Sequence, residues 1–257
     1  MLLTETLPQT IKNINTESEV SVIILLYKNA GFGGLKPFDI EIYGKKMWKY
    51  IEMACGDLPV KTTTCTAETN VFELIRPMLT NSKYTLVLYS DTPLVQSSTI
   101  RQVIDYAKMR DVNVMTLKRG YLFNTNYLKH AESIQGGLEY SDNAQDFVIV
   151  SDAKQLERVN RVIKNRILDF HLSSGIIIKD RQTTFIDADV IIENGVVIEG
   201  CNVLKGQSFI GKNTVLKSFN HIENSIIKEN CVVGCAYIKN SKIESGQTLE
   251  AFAKIIG

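Results

Sequence analysis

The sequence lacks a hydrophobic run long enough to cross a bilayer. The longest, Val22 to Tyr27, is a fraction of the roughly 20 residues a spanning helix needs. It also lacks a dominant charge. Lys and Arg number 29 against 28 Asp and Glu, a formal net charge of +1, so the electrostatic footprint of a nucleic-acid binder is missing. The first ten residues, MLLTETLPQT, carry no basic segment followed by a long apolar one, which argues against a signal peptide. Cysteine is sparse: five residues, an odd number, with no CxxC pair. A chain of 257 residues that is 44% hydrophobic folds without covalent staples, so the thiols are expected reduced and the protein cytoplasmic.

What is present is a repeat. From Ile186 an aliphatic residue recurs every six positions, at Ile192, Ile198, Leu204, Ile210, Leu216 and Ile222. The series continues, with some five-residue steps, through Ile227, Val233, Ile238, Ile243, Leu249 and Ile255. A helix would show a period of 3.6 and a half-buried strand a period of 2. A six-residue period fits short flat sides, each donating one inward aliphatic before a turn. Two places earlier stand small or β-branched residues, Thr184, Val190, Val196, Asn202, Ser208, Thr214 and Asn220, suited to a tighter interior position. Gly and Asn fall at many of the turns, among them Asn194, Gly200, Gly206, Asn224 and Asn230. This stretch resembles the hexapeptide-repeat left-handed β-helix; β-hairpins of a sandwich are the alternative. Relatives of that repeat trimerise through prism sides, which implies a homotrimer.

The segment SDAKQLERVNRVIKNRILDFHLSSG reads as one amphipathic helix. Leu156, Val159, Ile163, Ile167 and Phe170 form its apolar stripe, Ser151 or Asp152 its N-cap and Gly175 its stop. Lys154, Arg158, Arg161, Lys164 and Arg166 read as a solvated basic face, with an anion-binding surface as the alternative. Before it, strand patterns at Val20 to Tyr27, Lys83 to Tyr89 and Asn113 to Leu117 alternate with helical ones near Lys45 to Ala54 and Ser98 to Met109. The alternation predicts an α/β unit with a parallel sheet and helices on both faces. The expected organisation is an α/β domain over 1–150, a connector helix over 151–175 and a β-helix over 176–257.

In such sheets ligands bind beyond the carboxyl ends of the strands. Two loops lie there. In KNAGFGGLKPF, Gly31, Gly33 and Gly34 would let the backbone approach a phosphate, with Lys28 and Lys36 to neutralise it; a merely tight turn explains the glycines equally. In LVLYSDTPLV, Asp91 follows a buried strand that Pro93 ends. A carboxylate there suits Mg²⁺, and equally a turn or helix cap.

Taken in order, these pieces resemble the bifunctional N-acetylglucosamine-1-phosphate uridylyltransferase/glucosamine-1-phosphate acetyltransferase family. YSDTPLV is similar to the family's YGDVPLL, and YGKKMWKYI to its AGKPMLEHV. RGYLFNTNYLKHA is similar to the segment after its sugar-binding Asn, and the stretch from Val150 to Ile255 to its linker and first coils. The resemblance implies a Rossmann-like nucleotidyltransferase sheet before the left-handed β-helix. It implies Mg²⁺ held on nucleotide phosphates by Asp91, with Ser151 where the family has an Asn and Asp152 beside it. Lys36 would face the triphosphate, and a nucleoside triphosphate and a sugar phosphate would be the substrates. The departures are specific. The family loop GxGTRM with its Pro–Lys pair is here shorter, without Thr or Arg, and reads Lys36–Pro37. The stretch from Asp91 to Ser151, which builds the sugar lobe in the family, is much shorter. AFAKIIG resembles the family's PFAYIRP, beyond which lie its acetyltransferase residues. His221 reads as an exposed or packed prism residue and Cys231 as a packing residue, rather than as catalytic ones. Three functions compete: a minimal sugar-1-phosphate nucleotidyltransferase, a non-catalytic trimeric binding or scaffold module, and a hexapeptide acyltransferase.

Overall fold

A computed structural model describes residues 18–28, 36–134, 136–141 and 145–257. The sheet elements are β1 (Val20–Tyr27), the short pair β2 (Glu41–Ile42) and β3 (Lys45–Lys46), helix α1 (Met47–Cys55) and β4 (Val60–Cys65). There follow α2 (Val71–Ile75), β5 (Tyr84–Tyr89), α3 (Ser97–Arg110), β6 (Val114–Leu117), β7 (Gly120–Asn124), α4 (Thr125–His130) and β8 (Leu138–Glu139). The six-stranded sheet runs β4-β1-β5-β7-β6-β8. Successive residues of β1 point to opposite faces. Val22 and Ile24 pack with Ile51 of α1 and Val103 and Ala107 of α3. Ile23 and Leu25 pack on the other side with Ile75 of α2 and Leu128 of α4.

The expected parallel sheet is only partly present. β4, β1 and β5 are parallel, but β7 runs antiparallel to both β5 and β6. The reason is local. Only Lys118 and Arg119 separate β6 from β7, and two residues close a hairpin but not a crossover. Gly120, at φ +138°, lies so close to β5 that a Cβ would stand 2.4 Å from the Val87 carbonyl oxygen.

Helix α5 (Ala153–Ser173) connects the sheet to a left-handed parallel β-helix. Asp152 caps it, accepting from the Gln155 N–H at 2.8 Å, and Gly175 at φ +83° follows its end. Val159 and Ile163 are buried against Ile42, Met47, Leu94 and Val150. The expected stripe then fails at Phe170, which is 66% exposed. Leu168 and His171 are buried instead, because the second half of the helix leaves the sheet and packs on the first coil with Ile176 and Ile186. The basic face is not uniformly solvated: Arg166 Nη1 donates to the Leu94 carbonyl at 2.8 Å, and Lys164 Nζ to that of Gln182 at 2.7 Å.

The β-helix consists of short strands stacked in three sheets of five, four and five. Every aliphatic of the six-residue series from Ile186 to Ile243 is buried; Leu249 and Ile255 are half-buried. The residues two places earlier, Thr184 through Asn220, are buried as well, and Ser225, Cys231 and Ala236 continue the set. The structure starts the stack one strand sooner than the pattern, at Ile177–Ile178, because a longer corner through Asp180 separates Ile178 from Ile186. Coil length is not constant. Paired residues Val203 and His221 are 18 apart, His221 and Tyr237 are 16, and Tyr237 and Lys254 are 17. The shorter coils turn through Asn224 and Asn240, both at positive φ. At one corner Cys201, Phe219 and Phe252 also take positive φ, and the latter two are 65% and 87% exposed.

Candidate functional site

The carboxyl ends of β1 and β5 meet at Tyr27 and Tyr89, whose rings lie edge-on at 6.1 Å. The chain after β5 is held tightly there. The Ser90 N–H donates to the Leu25 carbonyl at 2.9 Å, and the Tyr27 N–H to the Ser90 hydroxyl at 3.0 Å. Thr92 Oγ1 donates back to the Tyr89 carbonyl at 3.0 Å. Ser90, Asp91 and Thr92 are all buried, so Asp91 is a carboxylate fixed inside the protein rather than at its surface.

Its partner is Arg119, from the β6–β7 hairpin. Arg119 Nε donates to Asp91 Oδ1 at 3.1 Å and Nη2 to Oδ2 at 2.6 Å. The guanidinium lies 4.7 Å from the Tyr27 ring centre and 4.0 Å from that of Tyr89. Gly120 makes this possible, since its backbone approach to Val87 brings the hairpin turn onto the end of β5. Burial works against the Arg119 charge, but the hydrogen bonds and charge of Asp91, with Tyr89 and Tyr27, hold its pKa above the ordinary value. Burial pushes the Tyr89 phenol up to about 12 and the nearby Cys65 thiol up to about 11, although Arg119 opposes both. Sequence reasoning did not find Arg119. Its signal is a basic turn, Lys118–Arg119–Gly120, between two apolar runs.

The other expected residues do not complete a metal site. The Asp91 carbonyl accepts from the Val150 N–H at 2.8 Å, which brings the start of the connector beside it. But Asp152 is exposed and its Oδ1 is the helix cap, while the Ser151 hydroxyl and N–H point to Gln155 Oε1 at 3.4 and 3.2 Å. Lys36 is exposed, and its carbonyl accepts from the Asp39 N–H at 2.9 Å. No hydrogen bond or ion pair among the described residues joins Lys36 to Asp91, Ser151 or Asp152. Gly31, Gly33 and Gly34 lie outside the described residues. Each Asp91 oxygen accepts one hydrogen bond from the Arg119 guanidinium, which balances the carboxylate charge and leaves each oxygen a second lone pair. Among the described residues no group of three or more His, Cys, Asp or Glu is placed to hold a metal ion. No helix among them is long and apolar enough to cross a membrane.

His221 and Cys231 sit where packing predicts. His221 stacks on Tyr237 with ring centres 5.2 Å apart, and Cys231 is an interior residue of the prism.

No family model matches the chain. It is 28% identical over 136 residues to the bifunctional protein GlmU of Alkaliphilus metalliredigens, covering 53% of this chain and 30% of that one. It is 36% identical over 106 residues to GlmU of Streptococcus thermophilus, covering 41% and 23%. To GlmU of Clostridium acetobutylicum it is 34% identical over 111 residues, covering 43% and 24%. The chain thus spans less than a third of the length of the curated relatives it matches. Among solved structures, the crystal structure of Rv0371c from Mycobacterium tuberculosis overlays on 56% of the chain and 98% of its own, with a TM-score of 0.42 and 10% identity. Over these stretches the chain is similar to the bifunctional GlmU proteins.

Proposed function

We propose that this GlmU-like protein does not carry out metal-dependent nucleotidyl transfer and acts as a homotrimeric binding or scaffold module. The observation that carries the reading is the two-point seizure of Asp91 by Arg119. Metal-assisted phosphoryl chemistry needs that carboxylate on the ion. At the second expected position Asp152 Oδ1 caps α5. The acyltransferase reading has no support in the geometry: His221 is stacked on Tyr237 and lies 3.7 Å from Glu223 in a row of ordinary prism residues.

The trimer rests on the outer faces of the β-helix. Ile191 and Ile226 stand outward on one face, 62% and 44% exposed, with Phe209 between them in register. On another face Ile177 is 55% exposed and leads a column of Val197, Val215 and Val232. Contiguous outward apolar columns of this kind mark an association surface. Sedimentation equilibrium is expected to give three chains; a stable monomer overturns the trimer.

The activity is tested by pyrophosphate release from UTP and the other nucleoside triphosphates, with Mg²⁺ and a panel of sugar-1-phosphates. No turnover is expected. Turnover that Asp91→Ala abolishes overturns the reading and restores the nucleotidyltransferase.

A further inference from the structure

We propose that the cleft between α1, the second half of α5 and the first coil binds a small molecule with an apolar body and a single carboxylate head. The cleft shares no residue with the surroundings of Asp91, so the outcome of the pyrophosphate assay does not bear on it.

The cleft lies where α5 passes from the sheet to the β-helix, and its volume is about 330 Å³. That is the lower end of the range for small-molecule sites. Its walls are mostly carbon: Met53 of α1, Ile163, Ile167 and Phe170 of α5, and Ala188 and Val190 of the first coil. Met53 and Phe170 are exposed, so the apolar surface continues out to solvent.

Three polar side chains complete the wall. The Tyr50 hydroxyl is already used, donating to the Ile42 carbonyl at 2.6 Å. His171 is not used. It is 3% exposed, and its Nδ1 is buried with no hydrogen-bond partner. Burial alone lowers its pKa, so no charge among the described residues compensates the ring. A buried polar atom of this kind calls for a partner from outside the chain. Water is a poor one, because an ordered water needs two to four polar neighbours and the rest of the wall is carbon.

Arg166 is the charged residue of the wall and sets the sign of the head group. Its Nη1 donates to the Leu94 carbonyl at 2.8 Å, but Nη2 stands 3.7 Å from Asp146 Oδ1, too far for a hydrogen bond. Asp146 is held instead by Thr99 and Gln96. Burial of the Arg166 guanidinium lowers its pKa, and Asp146 opposes that without cancelling it. An anion beside Arg166 therefore gains what Asp146 leaves unmet. One cation in an apolar wall suits a monoanion, and a guanidinium matches the planar oxygens of a carboxylate.

The test is calorimetric titration of the intact protein with two carboxylates, octanoate and 2-naphthoate, and their neutral counterparts, octan-1-ol and 2-naphthol. At least one carboxylate is expected to bind at about 1 mM or below, and its neutral counterpart about tenfold more weakly. Preference for octanoate identifies an alkyl ligand, and preference for 2-naphthoate an aromatic one. Ala188→Leu, which adds bulk at a half-exposed wall position, should abolish binding with the circular dichroism spectrum unchanged. His171→Leu keeps an apolar wall and removes the ring nitrogens. It should weaken the carboxylate about tenfold and its neutral counterpart little. The proposal is overturned if neither carboxylate binds, if binding survives Ala188→Leu, or if His171→Leu weakens both members of a pair equally. If neither binds and Phe170→Asp dissociates the oligomer, the cleft is instead an interface between copies of this chain.

Discussion

Asn202 and Asn220 stand one coil apart inside the same corner of the β-helix, and Asn220 Nδ2 donates to Asn202 Oδ1 at 3.0 Å. The ladder extends both ways. Asn202 Nδ2 donates to the carbonyls of Glu199 at 2.8 Å and Lys217 at 3.0 Å, and Asn220 Oδ1 accepts from the Ala236 N–H at 2.9 Å. Both side chains are fully interior, so each bond replaces water that the corner excludes. Asn220→Ala strands the Ala236 N–H and removes the side-chain donor to Asn202 Oδ1, and is expected to destabilise the protein by about 2–3 kcal/mol. Urea unfolding followed by circular dichroism measures it. A loss under about 0.5 kcal/mol would show that the ladder is dispensable.

Asp91→Ala leaves a guanidinium half-buried between two tyrosines with no counter-charge. Removing one partner of a buried pair costs about 3–5 kcal/mol, and the lower end applies here because Arg119 retains some exposure. Gly120→Ala attacks the same site through the backbone, where a Cβ meets the Val87 carbonyl at 2.4 Å. It should lower the melting temperature and, by displacing the hairpin, raise the solvent reactivity of Arg119 toward phenylglyoxal.

His171 is buried with Nδ1 unpartnered, and burial lowers its pKa. The folded state therefore resists a proton that the unfolded state accepts. The His171 contribution is neutral above the unfolded pKa of about 6.5 and turns destabilising as pH falls below it. Unfolding free energy measured at pH 7.5 and pH 5.5 should fall more in the wild-type protein than in His171→Leu. Equal slopes would show that His171 stays unprotonated in both states or finds a partner in solution.

The thiols should divide into two groups. Burial pushes Cys55 up to about 12 and Cys65 up to about 11, and Cys231 is fully interior. Cys201 and Cys235 are half-exposed at the corner of the β-helix. Titration with a chromogenic disulfide at pH 8 is expected to modify these two rapidly and the other three only on unfolding.

Phe219 holds φ +68° while exposing most of its ring. A left-handed conformation costs a side chain about 1–2 kcal/mol, so Phe219→Gly should stabilise the monomeric β-helix by up to about 1 kcal/mol. If the ring is an association contact, the same change lowers the trimer fraction in sedimentation, so the two readouts move in opposite directions.

How much of this was legible in the sequence follows from what each residue touches. The β-helix was readable because each coil repeats one demand, an aliphatic such as Ile198 or Ile210 with a small residue two places before it. β1 and β5 were readable because both of their faces are covered. β4 was not: VKTTTC pairs with β1 along one side, lies at the edge of the sheet, and fully buries only Cys65. Phe170 misled because the stripe that buries Ile163 was extended past the point where α5 changes neighbours. Arg119 was silent. Its role depends on Asp91 and two tyrosines that converge only when β7 folds back on β5, and no spacing along the chain encodes that meeting.

The division of α5 between two cores also ties the stability of the first coil to that of the sheet. Its first half is anchored by Val159 and Ile163 against the sheet, and Leu168 supplies the floor on which Ile176 and Ile186 settle. A solenoid coil cannot bury its own interior and needs a neighbour to stack on. The helix is that neighbour for the first coil, so a substitution that loosens Val159 or Ile163 from the sheet also loosens the seat of Ile176 and Ile186.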